Sequence, residues 1–168
     1  KGKAVEINAL WYNALMVMSF LAREMNLPEE RVRYDTLAGK AGTSFHDVFW
    51  YEEGQYLYDF IDGEIRDSAI RPNQIFAVSL PYSMLSKAQQ RKVVAVVKGH
   101  LLTPLGLRSL SPKDNNYIGR YCGTPYERDR AYHQGTVWAW LIGPYISAYA
   151  RAYAGEQETM PYIKRLFL

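Results

Sequence analysis

Apolar residues between Val5 and Met25 recur at Ile7, Leu10, Trp11, Ala14, Met18, Leu21, Ala22 and Met25, and Leu15, Met16, Val17 and Phe20 broaden the stripe. This three-and-four spacing predicts an amphipathic helix, and so wide an apolar face predicts that it is nearly surrounded by other chain. Asn26 and Pro28 end it. A second helix is expected from Tyr34 to Glu53, with Leu37, Ala38, Ala41, Phe45, Val48 and Phe49 inward and Gly54 after its end, although Gly39 and Gly42 suit it poorly.

From Gln55 to Ala69 the texture changes. Tyr56-Leu57-Tyr58-Asp59-Phe60 is short and aromatic and Asp62-Gly63 is a tight-turn signal, so a small β-hairpin is expected near residues 55–66. Arg71-Pro72-Asn73-Gln74 opens a short helix through Leu80, because proline is tolerated in a first turn, and Pro81 closes it. Ser86 and Gln89 form a capping-box pattern for a helix to Leu102, with Val93, Val94, Val97 and Leu101 inward. Thr103 to Gln134 reads as one long irregular segment, and its tyrosines and arginines favour an ordered, functional loop. A helix from Gly135 to Tyr153, kinked at Pro144 and capped by Gly155, and a last one from Gln157 through Leu166-Phe167-Leu168 complete the series. About six helices in antiparallel pairs, with long loops and no internal repeat, define an all-α fold.

At 168 residues, 48% hydrophobic and 22% charged, the chain is one globular unit with enough apolar material for a core. Its 14 tyrosines and 4 tryptophans exceed what such a core needs, so some should face a ligand. The net charge of +3 is scattered, with no basic stripe for a phosphate backbone, which argues against a nucleic-acid partner. Glu6, Asn8, Asn13 and Ser19 make the first apolar run too polar for a membrane span, and it lacks signal-peptide layout. Cys122 is the single cysteine, so no internal disulfide forms, and no Cys/His cluster has metal-ligand spacing. No cofactor is expected, and a reducing, cytoplasmic compartment is compatible. The absent initiator methionine and the apolar last residues read as a segment of something longer.

Tyr132-His133-Gln134-Gly135-Thr136-Val137-Trp138-Ala139-Trp140 sets indoles, a phenol, an imidazole and a carboxamide around one glycine at a loop-to-helix junction. Sugars present apolar C–H faces and rims of hydroxyls, so this mixture suits a polyhydroxylated ligand. The plain alternative is that Trp138 and Trp140 pack the start of a helix with His133 and Gln134 capping it, but Trp140 lies off the core stripe. Arg71, Asn73 and Gln74 offer donors and acceptors of the same kind, against which stand a helix cap and an ion pair from Arg71 to Asp67 or Asp62. Glu6, Asn8 and Trp11 cluster at a helix start, where capping accounts for Glu6 and core packing for Trp11. Glycoside hydrolysis needs two carboxyl groups about 6.5–9.5 Å apart for inversion or about 5–5.5 Å for retention. Glu6, Asp62, Asp67, Glu127 and Asp129 are candidates and none stands out. His46 and His100 read as surface or satisfied core histidines.

Four stretches carry a resemblance: Val5-Glu6-Ile7-Asn8-Ala9-Leu10-Trp11-Tyr12, Arg71-Pro72-Asn73-Gln74-Ile75-Phe76-Ala77, Leu102 to Pro112, and Ala131 to Trp138. In this order they resemble the C-terminal glucosidase domain of glycogen debranching enzymes, with a departure at Ala139, where proline is expected. The resemblance implies an (α/α)6 toroid, of which residues 1–168 would be about half as a single segment. It further implies inverting hydrolysis of α-1,6 branch points in glycogen or a related α-glucan, with release of glucose. The catalytic acid and base are then expected outside this chain, before Lys1 and beyond Leu168, and the rest of the parent domain is a partner. Carried over as glucose-pocket residues are Glu6, Asn8, Trp11, Arg71, Asn73, Gln74, Tyr132, His133, Gln134 and Trp138. A non-catalytic α-glucan-binding helical module and a helical protein-interaction scaffold are the competing readings.

Overall fold

A computed structural model describes residues 2–166. Helix α1 (Val5–Glu24) turns at Asn26, which takes the left-handed conformation (φ 54°) that asparagine tolerates, and α2 (Pro28–Phe49) returns along it. The second helix thus starts at Pro28 rather than Tyr34. The proline expected to end one helix opens the next, where its missing N–H costs nothing, and Glu29 and Glu30 complement the helix dipole there. It also stops at Phe49 rather than Glu53, because Trp50–Tyr51 (β2) extends to pair with Tyr56–Leu57 (β3) around the turn that holds Gly54.

The burial of α1 reverses the expectation. Its period is right but its phase is mostly not: Leu15 and Ala22 of the predicted stripe are buried, together with Val5, Ala9, Asn13 and Ser19, while Ile7, Leu10, Trp11, Met18, Phe20, Leu21 and Met25 are exposed. Small side chains line the contact because they let two backbones approach, and most of the large apolar ones point outward. Asn13 donates to the Ala9 carbonyl and to that of Tyr82 (3.0 and 2.8 Å), and Ser19 donates to Asp35. By length and composition alone α1 is apolar enough to cross a membrane, contrary to the reading of its polar residues as excluding that. Here Ser19 is spent on a contact with α2 and Asn13 on the Tyr82 loop.

Three small sheets modify the all-α expectation, leaving a mostly helical chain. The expected hairpin is β4 (Phe60–Asp62) with β5 (Ile65–Arg66), turning at Gly63, and β1 (Lys3–Ala4) pairs on the other side of β4. Arg71 leads into a 3-10 turn over Pro72–Ile75 and then α3 (Phe76–Ser79). Helix α4 (Lys87–His100) has the predicted capping box: the Ser86 hydroxyl accepts from the Gln89 N–H and the Gln89 carboxamide accepts from the Ser86 N–H. Its Val93, Val94 and Val97 are completely buried, each contributing roughly 1.5–3 kcal/mol, and they join Val5, Leu57, Ile75, Leu107 and Tyr145 in one core.

The supposed irregular segment holds structure of its own. Leu102–Thr103 (β6) and Gly106–Arg108 (β7) form a hairpin, and α5 (Pro125–Ala131) has a capping box from Thr124 and Glu127. Val137–Trp138 (β8) adds to β7, so the helix expected from Gly135 begins only after a 3-10 turn at Ala139–Leu141, as α6 (Ile142–Ala152). Pro144 therefore sits in a first turn and kinks nothing. The last helix is α7 (Thr159–Arg165), held to α6 by a 2.8 Å hydrogen bond between the Tyr145 and Tyr162 hydroxyls. Phe167 and Leu168, expected to continue it, lie outside the described residues.

Candidate functional site

Loops from five parts of the chain meet at one cavity of about 390 Å³, within the range of small-molecule sites. Asp59 enters from the link between β3 and β4, fixed by its own N–H to the Asp67 carbonyl (2.8 Å) and by its carbonyl, which accepts from the Val5 N–H (3.0 Å). Arg71, Pro72 and Asn73 come from the start of the 3-10 turn, and Ser109 follows β7. Tyr132 and His133 follow α5, and Trp138, Trp140 and Leu141 come from β8 and the turn after it.

Arg71 joins these segments. Its Nη1 donates to the carbonyls of Ser109 (3.2 Å) and His133 (2.6 Å), its Nη2 to Gln134 Oε1 (2.9 Å), and its Nε lies 3.8 Å from Asp59 Oδ2. The ion pair expected toward Asp67 or Asp62 is thus made with Asp59. A planar guanidinium with donors in several directions can hold this arrangement, and a lysine cannot. Asn73 Nδ2 donates to Asp59 Oδ1 at 3.0 Å. Burial raises the Asp59 carboxyl from its ordinary 3.8 to about 6; Arg71 and the Asn73 hydrogen bond oppose the shift, and the charges of Glu6 and Asp67 add to it. Glu6, in the first turn of α1, has a buried Oε2 with no hydrogen-bond donor among the described residues.

A cluster of rings lines the same cavity. Tyr132 meets His133 and Trp138 edge-on, each with centroids 4.8 Å apart, and His133 stacks over Trp138 at 6.1 Å. Trp138 is half-buried against the core, whereas Trp140 is 62% exposed and stacks on Phe76. Gly135 permits this turn: its φ is 138°, and a Cβ there would run into the Tyr117 ring and the Ile118 carbonyl. Its N–H donates to Ser109 Oγ (2.9 Å), and the β7–β8 register sets Leu107 opposite Trp138.

Of the ten residues singled out from the sequence, Arg71, Asn73, Tyr132, His133 and Trp138 line this cavity. Gln134 supports it through Arg71, and Glu6 acts on it through charge. Gln74 is 1% exposed; its Nε2 donates to the Arg71 carbonyl and its Oε1 accepts from the Leu57 N–H, so it braces the turn from within the core. Asn8 and Trp11 line a separate groove of about 200 Å³ between α1 and α2, and Trp11 is 55% exposed rather than packed in the core. Asp59, Pro72, Ser109, Trp140 and Leu141 complete the lining and are not among the ten. The signal for Asp59 was an acid inside the aromatic run Tyr56–Phe60, where an unpaired carboxylate is costly.

Indoles and an imidazole lining one cavity with a carboxylate, a guanidinium and a carboxamide can stack an apolar ring face while donating to and accepting from hydroxyls. Among the described residues no group of His, Cys, Asp and Glu has metal-site geometry. His46 is exposed beside Gln89, and His100 is half-buried against Ser111, its pKa lowered by burial and by Lys113.

Part of the chain is similar to a glycogen debranching enzyme of Saccharomyces cerevisiae, 27% identical over 130 residues, which are 73% of this chain and 8% of the yeast protein. A family model described as amylo-alpha-1,6-glucosidase matches residues 1–168, so the chain belongs to the amylo-alpha-1,6-glucosidase family.

Proposed function

We propose that this chain builds the glucose-binding wall of an amylo-α-1,6-glucosidase domain, as about half of an (α/α)6 toroid, and that the catalytic acid and base come from other stretches of the parent polypeptide. The observation that carries this reading is the convergence of Asn73, His133 and Trp138 on one cavity with Asp59 and Arg71. A terminal glucose of an α-glucan sits there with its C–H face on the rings. Asp59, mostly ionised at pH 7 with a pKa of about 6, accepts from its hydroxyls, and Asn73 donates to them.

The reaction is inverting hydrolysis of the α-1,6 branch linkage, with a carboxylic acid protonating the glycosidic oxygen and a carboxylate activating water on the opposite face. This chain's residues hold the sugar ring between them, and positioning of that kind lowers the barrier by removing the entropy of alignment. A cytoplasmic location, suited to the free and exposed thiol of Cys122, belongs to the same proposal.

The test is glucose release from a branched limit dextrin by the parent enzyme. His133→Ala and Asn73→Ala should each lower the rate roughly tenfold or more, and wild-type rates in both would remove this cavity from the reaction. Turnover by the 168-residue chain alone would contradict the assignment of acid and base to other segments, and would direct attention to Asp59 and Glu6.

A further inference from the structure

Helix α1 begins beside Asp59: the Val5 N–H donates to the Asp59 carbonyl (3.0 Å), and the next residue is Glu6. Glu6 Oε2 is buried and meets no hydrogen-bond donor among the described residues. An acceptor kept dry and unpaired costs free energy. Capping of α1, the role read from the sequence, leaves this atom unexplained, since a cap accepts an N–H.

Resting on the glucose pocket for its consequence, we infer that Glu6 is a positioning residue: its charge acts through Asp59 and governs whether that carboxyl presents a proton or a bare carboxylate to the cavity.

The groups around Asp59 leave this role to Glu6. Burial pushes the Asp59 carboxyl up most strongly; Arg71 and Asn73, both from the start of the 3-10 turn, oppose it, and the charges of Glu6 and Asp67 act with it. Asp67 has a structural task, because its Oδ1 accepts from the Ala69 N–H at 2.9 Å. Glu6 Oε2 has none, yet a carboxylate in the first turn of α1 is stabilised by the helix dipole. Ionised, Asp59 offers acceptors only; protonated, it offers an O–H donor and no longer answers the charge of Arg71. Charge-assisted hydrogen bonds are the stronger, so sugar hydroxyls are held more firmly above a pH of about 6.

The experiment follows the Asp59 carboxyl by carbon NMR during a pH titration of the 168-residue chain, with Asp59→Asn identifying its signal. Wild type should titrate near pH 6. Glu6→Gln and the apolar Glu6→Met both remove the charge and should lower that midpoint by at least about half a pH unit, whereas Glu6→Asp, which keeps the charge, should bring it back toward wild type. A midpoint unmoved in both uncharged variants, or a Glu6→Asp midpoint that stays with theirs, would overturn the inference. Isomaltose binding, followed by calorimetry across the same pH range, should tighten as Asp59 ionises and should do so at lower pH in Glu6→Gln. Histidines titrate in this range and His133 lines the cavity, so the Asp59→Asn profile shows which part belongs to Asp59. A moved midpoint with an unmoved binding profile would overturn the positioning role. Absence of isomaltose binding at every pH would overturn the glucose pocket and leave the hold of Glu6 on Asp59 standing, because the NMR titration needs no sugar.

Discussion

Asp59 and Arg71 set the properties of the site between them. Burial raises the Asp59 pKa, so the carboxyl holds its proton more tightly in the folded chain than in the unfolded one. Its contribution to stability is therefore fully present below pH 3.8 and is lost as pH rises through about 6. With the Asp59 side chain 13% exposed, the shift corresponds to roughly 3 kcal/mol. Asp59→Asn should remove that part of the pH dependence, seen as a smaller change in urea-unfolding free energy between pH 4 and pH 7; an unaltered profile would mean that Asp59 titrates normally. Arg71→Lys keeps the charge beside Asp59 but loses the fork that reaches Ser109, His133 and Gln134. It should cost about 1–3 kcal/mol, and an unchanged denaturation midpoint would mean that these segments are held by other contacts.

The legibility of each element followed from where its information lay. Helix α4 was readable because cap and core are local: Ser86, Gln89 and the valines all appear within one window. Ser86→Ala should lower stability by about 1 kcal/mol, measured by thermal unfolding, and no change would mean that the packing of α4 holds its end without the cap. Helix α1 misled because it is apolar on two sides, and residue size points to the outer one while Ala9 and Ala22 mark the contact. Strands β6, β7 and β8 escaped notice since each is two or three residues long and their pairing spans the distance from Leu102 to Trp138. Half of the candidate site residues were legible as sugar-compatible clusters. Asp59 was missed because only the fold shows that the aromatic run beside it turns toward Arg71.

At the scale of the molecule, the main core is complete while one side is open. Ile7, Leu10, Met18 and Leu21 leave a row of large apolar side chains on α1 in contact with water. In the (α/α)6 arrangement proposed above such a face would be covered by neighbouring helices. The chain by itself should then self-associate, and Met18→Lys with Leu21→Lys should reduce that association without loss of helix content. A strictly monomeric wild type in sedimentation would show that this face needs no cover.

The central claim, that the cavity between Asp59, Arg71 and Asn73 and the Tyr132–Trp140 rings receives a glucose unit, is tested most directly by tryptophan fluorescence during titration with isomaltose. Two of the 4 tryptophans, Trp138 and Trp140, line the cavity, so occupancy should alter their emission. The account predicts a saturable change in the wild-type chain that is lost, or moved to at least roughly tenfold higher concentration, in Asn73→Ala. A wild-type signal that never saturates, or an identical curve in the variant, would contradict it.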